Sequence, residues 1–165
     1  MNRIIFRSLL VIAILAGCVL PSCKTPATVA PEYASYQFEV ECLGVNPDGS
    51  QTLRSWGKGK NKAEAIEQAR QRAVEAVIFK GITSGGKDCD KRPVVTEVNA
   101  REKYRDYFNA FFSKGGAFNR YVSLNESRTS RIKAADSSQE AWSVVVIVDR
   151  NALQKRLADD NMISM

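Results

Sequence analysis

Between Tyr36 and Cys42 the apolar residues Tyr36, Phe38, Val40 and Cys42 alternate with Gln37, Glu39 and Glu41. Period two marks a strand buried on one side only, so a strand is predicted here with its even-numbered face inward. Asn46-Pro47-Asp48-Gly49 follows. Proline presets φ and glycine takes the left-handed position, which predicts a hairpin turn into a second strand over about Gln51 to Gly59. The period then changes. Ala63, Ile66, Ala69, Ala73, Ala76 and Val77 recur at three- and four-residue spacing behind Asn61 and Glu64, which are spaced as a capping box. An amphipathic helix ending near Gly81 is predicted. Its mostly alanine stripe lets it approach a sheet closely, while Glu67, Gln68, Gln71, Arg72 and Glu75 occupy its other faces.

Ser84 to Pro93 is a Gly-rich charged loop, after which Asn99 and Glu102 suggest a cap for a second helix over about Ala100 to Lys114, stopped by Gly115-Gly116. Tyr104, Tyr107, Phe108, Phe111 and Phe112 fall on one side of that helix. Core packing is the plain expectation for such a stripe. The functional alternative is an apolar pocket or partner surface formed by Tyr104, Tyr107, Phe108 and Phe111, because two buried phenol hydroxyls would need polar partners. Val122 and Leu124 open a strand that turns polar from Asn125 to Arg131, and Asp136-Ser137-Ser138 makes the next turn. Trp142 to Val148 is apolar on both faces, the pattern of a central strand covered on both sides. Asp149 is placed to cap a last helix carrying Leu153 and Leu157. The expected order is β-β-α-α-β-β-α, an α+β fold with an antiparallel sheet and helices packed mainly on one face.

Ahead of this domain stands a different pattern. Arg3 and Arg7 precede the run Leu9 to Leu15, and Ala16-Gly17 follows, which matches the charged, apolar and small-residue regions of a secretory signal. The apolar stretch is barely long enough for a membrane span, and Arg7 interrupts it where charge is expensive. Leu15-Ala16-Gly17-Cys18 resembles the lipobox of bacterial lipoproteins, in which the cysteine is acylated and the signal is cut just before it. Cys23, in Leu20-Pro21-Ser22-Cys23, is the alternative; Cys18 is preferred because Pro21 beside the cut is unfavourable for a protease substrate. The resemblance implies a membrane anchor of several acyl chains, sufficient to hold a protein that does not span the bilayer. No aspartate follows Cys18, which by the same resemblance implies the outer membrane with the domain facing the periplasm. Residues 1–17 are thus expected to be signal peptide, 18–34 a lipidated N-terminus and Pro-rich tether, and 35–165 one domain.

Composition narrows the chemistry. The 165-residue chain has 24 basic and 18 acidic residues; without Arg3 and Arg7 the balance is 22 against 18, or +4, an ordinary surface that calls for no nucleic-acid partner. Histidine is absent, which removes His-based triads, His-bearing metal sites and the usual general base near neutral pH. Cys42 and Cys89 are free to form a disulfide in an oxidising compartment; unpaired, Cys42 would be a buried thiol and Cys89 an exposed, oxidisable one. With Asp88 and Asp90 they lack the further ligands and spacing a zinc site needs, so no metal or other cofactor is expected. Gly57-Lys58-Gly59-Lys60 matches neither the P-loop nor the dinucleotide pattern. Glu39 and Glu41 are explained by outward alternation, and Lys58, Lys60 and Lys62 by a solvated edge. No nucleophile, base and oxyanion set is present from which to propose a reaction.

Gly57-x-Gly59, the Ala-spaced helix from Ala63, and the Val-rich strand running into Asp149-x-x-x-Leu153 together resemble the small LPP-twenty lipoproteins and the similar N-terminal domain of the bacterial flagellar assembly protein T, over roughly Tyr36 to Leu157. The resemblance implies a periplasmic or outer-membrane α+β domain with binding or assembly roles and no catalytic residues. The aromatic second helix has no counterpart in it. The resulting expectation is a noncatalytic, membrane-anchored binding or scaffold domain with an envelope protein or cell-wall partner; the alternative is a carrier or sensor of a small apolar ligand.

Overall fold

A computed structural model describes residues 39–132 and 140–163. The signal, Cys18, Cys23, the tether, Tyr36, Phe38 and the Asp136-Ser137-Ser138 turn lie outside those residues. Among the described residues the fold is α+β: a five-stranded mixed sheet in the spatial order β3 (Ser84–Gly85), β1 (Glu41–Val45), β2 (Gln51–Gly59), β5 (Glu140–Val148) and β4 (Val122–Ile132), with four α-helices.

Strand β1 (Glu41–Val45) and β2 (Gln51–Gly59) form the expected hairpin. The Asn46 carbonyl accepts from Gly49 N–H, Gly49 takes φ 82°, and Asp48 accepts from Ser50 N–H, so the turn residues satisfy their own backbone. The first strand starts later than its alternation predicts. The chain bends at Glu39, and side chains of the helix that follows β2 bond the outer edge of β2 beyond Arg54: Gln68 accepts from Lys58 N–H at 2.7 Å and Arg72 donates to the Trp56 carbonyl at 3.3 Å.

Helix α1 (Lys62–Glu75) opens on Asn61, whose side chain accepts from Glu64 N–H, while the Glu64 carboxylate reaches back to Lys60 N–H, one residue further than the usual reciprocal bond. It continues through a π-helical turn, Ala76–Lys80, and stops at Gly81 in the left-handed region. The buried stripe is Ala65, Ala69, Ala73 and Ala76; Ala63, expected in it, is exposed, because two residues before Ala65 it lies on the opposite side of the helix. The small residues are needed on both sides of this contact. A Cβ on Gly57 would fall on the Ala65 carbonyl oxygen, and one on Gly59 would lie 2.6 Å from Ala65 N. At this approach the Ser55 hydroxyl donates to the Ala69 carbonyl, so the α1 face of β2 is Leu53, Ser55, Gly57 and Gly59.

Two features depart from the expected order and from a purely antiparallel sheet. A two-residue strand, β3 (Ser84–Gly85), forms within the expected loop and pairs with β1 in parallel. The aromatic helix is divided into α2 (Ala100–Lys103) and α3 (Arg105–Phe111) at Tyr104, with φ −111° and ψ 37°. Asn99 does not cap it: the residue sits at φ 61° and its side chain makes no capping bond. No Gly or Pro marks the break, so packing of the bulky rings rather than local propensity sets it. After a 3₁₀ turn, Ala117–Tyr121, β4 (Val122–Ile132) and β5 (Glu140–Val148) pair antiparallel, with β5 between β2 and β4. Helix α4 (Arg150–Asp159) is capped by Asp149, which accepts from Ala152 N–H, and buries Leu153 and Leu157 completely.

Candidate functional site

Cys42, opposite Leu53 in the hairpin, and Cys89, in the loop after β3, are joined by a disulfide with their Cα atoms 5.9 Å apart. Glycine makes room for it. Gly85 has φ 89°, and a Cβ there would lie 2.7 Å from Cys42 N. Both half-cystines are buried, at 2% and 4% exposure. Of the two alternatives the sequence leaves open, the structure has the disulfide, and the bond to β1 draws the polar loop of Cys89 over the edge of the sheet. Asp90, one residue on, pairs with Arg150 at the start of α4 at 3.1 Å. Asp88 is exposed.

The aromatic stripe divides into core and rim. Phe108 and Phe111 are 2% and 4% exposed, whereas Tyr104 and Tyr107 are half-buried. Phe108 meets Phe79 edge-on with centroids 4.7 Å apart and Tyr107 at 5.1 Å, while Phe111 stacks on Tyr107 at 5.9 Å and on Tyr121 at 6.0 Å. Offset-stacked and edge-to-face contacts of this kind are the favoured ring geometries. Phe79 and Phe118, outside the stripe, complete the cluster through Phe112. Their contribution was not legible, because each belongs to a different local segment. The Tyr107 hydroxyl finds a polar partner as its burial demands: it donates to Asp160, the residue just past the end of α4, at 2.5 Å, and Arg156 donates to the same oxygen at 2.6 Å. Burial, then the bond to Asp160, pushes the Tyr107 phenol up to about 12. Partial desolvation raises the Asp160 carboxyl, but the bonds from Tyr107 and Arg156 outweigh it and hold that group below its ordinary range.

An open groove of about 880 Å³ runs along the outer side of α1, with Glu64, Gln68 and Gln71 on one wall, Phe112 and Lys114 on the other, and Gly59 at one end. Glu67 ties its walls together, accepting from Arg70 of its own helix and from Asn119 of the 3₁₀ turn, each at 3.1 Å. The Gly57-Lys58-Gly59-Lys60 segment serves the close contact of sheet and helix. Glu41 pairs across the hairpin with Arg54 at 3.1 Å, Glu39 is exposed, and the Lys62 ammonium lies 4.6 Å over the Trp142 ring. Among the described residues there is no group of three or more His, Cys, Asp or Glu placed to hold a metal ion. No helix among them is long and apolar enough to cross a membrane. Compared with family models, curated proteins and solved structures, the chain matches none.

Proposed function

We propose that the chain is a noncatalytic envelope lipoprotein, anchored to the outer membrane through lipid on Cys18 and facing the periplasm, whose α+β domain binds or scaffolds another envelope component. The observation that carries the binding part is where the relief lies: Phe108 and Phe111 are packed ring against ring, and the groove along α1 is open. An open groove with mixed charged and aromatic walls suits a protein or polymer surface, whereas a carrier of a small apolar molecule needs an enclosed pocket. The carrier reading is the weaker one, since it needs space among Tyr104, Tyr107, Phe108 and Phe111, where rings meet. The anchoring part rests on the lipobox-like Leu15-Ala16-Gly17-Cys18 and on the likeness of Gly57-x-Gly59, the Ala-spaced helix and the final strand to the LPP-twenty lipoproteins. The reading also takes the helices to lie mainly on one face of the sheet, as α1 does.

Intact-mass analysis of the mature N-terminus tests the anchor. A diacylglyceryl cysteine at position 18 is expected; Cys23 as first residue moves the claim to that cysteine, and an unacylated N-terminus removes it. For the binding part, a photo-crosslinking residue at Gln71 or Lys114 is expected to capture an envelope component in living cells, and the same residue at exposed Asp88 to capture none. Cys18→Ala should abolish function through mislocalisation while the domain stays folded. Conversely, if one amide substitution at Glu39, Glu41, Asp88 or Asp90 eliminates function in a folded, correctly located protein, the noncatalytic reading fails.

A further inference from the structure

The sheet face turned away from α1 carries a concavity of about 490 Å³ built by the ladder itself. Trp56 lies directly opposite Ser143, and Ser143 opposite Ser130, so these three form one row across β2, β5 and β4; Arg54 and Val145 face each other in the next row. Period two puts both rows on the same face, with directly opposite Cβ atoms about 4.5–5.5 Å apart. Between Asn125 and Thr129 the pairing of β4 advances by a single residue of β5, from Val145 to Val144, so residues 126–128 stand out of the ladder. Bulges re-aim side chains, and Arg128 from this one lines the concavity.

The polar groups gathered there want an acceptor. Trp56 and Ser143 are each only 8% exposed, yet neither the indole N–H nor the Ser143 hydroxyl has a hydrogen-bond partner among the described residues. An indole N–H and a guanidinium donate and never accept, and serine hydroxyls turn to donate. Arg128 forms no ion pair among the described residues, and the Arg54–Glu41 pair is partly exposed, at 45% and 33%, a type of pair that holds its partners weakly. Neither donor atom is a fully buried orphan, so both are open to solvent and free to bond a ligand, and planar guanidinium groups match oxyanions through two parallel bonds.

We propose that this concavity binds an oxyanion, a carboxylate or phosphate carried on an apolar body. Arg54 and Arg128 grip the anion, Ser130, Ser143 and the Trp56 indole donate to it, and Val145 packs against the apolar part. The site is independent of the lipid anchor and of the groove along α1.

The test uses the mature chain carrying Trp142→Phe, which leaves Trp56 as the only tryptophan of the two in the sequence. Its fluorescence is titrated with phenyl phosphate, benzoate and uncharged benzyl alcohol. A saturable change is expected with at least one of the anions, and the tighter one identifies the group; benzyl alcohol should give none. Arg128→Gln and Arg54→Gln should each weaken binding by about tenfold or more with unchanged melting, the loss expected for a charge-assisted bond. Amide shifts of Ser130 and Ser143 in the unsubstituted chain provide the same reading should Trp142→Phe disturb the fold. No saturable response to either anion by both measurements, an equal response to benzyl alcohol, or undiminished binding in Arg128→Gln overturns the proposal.

Discussion

Truncating Phe108 to alanine probes the joint between the divided helix and the rest of the core. The ring is 2% exposed and touches Phe79, Tyr107 and Phe112, with centroids 4.7, 5.1 and 6.4 Å away. Burying a phenylalanine side chain contributes about 1.5–3 kcal/mol by transfer from water. Removing the ring opens a cavity of roughly 100 Å³, which at about 24 cal/mol per Å³ adds about 2 kcal/mol where neighbours do not collapse. Loss of the edge-on contact with Phe79 adds a smaller increment of about 0.5–1.5 kcal/mol. Because Tyr107 and Phe112 flank the gap on a short helix, partial collapse is expected and the net loss should be about 4 kcal/mol. Urea denaturation of the unlipidated mature chain, followed by circular dichroism, measures it. With a slope of about 2 kcal/mol per molar for a domain of this size, the midpoint should fall by about 2 M. Phe108→Leu, which fills most of the space, should cost about 1.5 kcal/mol or less. A loss below about 1 kcal/mol for Phe108→Ala would mean that the ring is exposed in solution, and the placement of α3 against Phe79 would be wrong.

Replacing both Cys42 and Cys89 by serine frees a 47-residue separation, and the chain-entropy argument gives a loss of about 4 kcal/mol by the same denaturation; an unchanged midpoint would show that the cross-link is not formed in solution. Gly57→Ala should destabilise by more than about 2 kcal/mol, since its methyl meets the backbone of α1 at Ala65 and not a side chain that could swing aside; a neutral result would refute the close approach. Tyr107 should titrate well above an ordinary phenol. Its raised folded value, about 12, makes its contribution fully present below the ordinary phenol value of about 10 and lost as pH climbs from there to about 12; ultraviolet titration against Tyr107→Phe checks it, and Asp160→Asn should lower the value. Asp160 works in the opposite direction. Its lowered carboxyl contributes stability above the ordinary aspartate range, lost as pH falls through the folded value, so the acid limb of a pH–stability curve should flatten in Asp160→Asn.

Local order was written plainly in the sequence where neighbouring residues decide the conformation. The Asn46–Gly49 turn, the Asn61 cap, the Gly81 stop and the Asp149 cap each depend on local chemistry within a few positions, side chains bonding nearby backbone or a glycine taking a positive φ, and the structure has all four. Strands β2 and β5 were legible too, the first from the hairpin turn that precedes it and the second from an apolar run on both faces. Asn99 misled for the same local reason: its spacing to Glu102 is that of a cap, but the incoming chain needs a left-handed residue there.

What the sequence could not express were the pairings between residues far apart. Gly57 and Gly59 read only as the end of the second strand until α1 is laid across them, when their missing side chains become the condition for Ser55 to reach the Ala69 carbonyl. Strand β3 consists of two residues with no periodicity to detect; it exists because Gly85 lets the backbone run beside Cys42, where Cys89 is tied down. The break at Tyr104 comes from fitting the stripe of large rings around Phe79, Phe118 and Tyr121, contributed by two separate segments, the π-helical turn and the 3₁₀ turn. The donor-rich row of Trp56, Ser143 and Ser130 appears only in the register of three strands. Sequence periodicity tells a side chain which way to face, but the identity of its neighbour is a matter of how elements distant in the chain are brought together, and that is decided by packing in three dimensions.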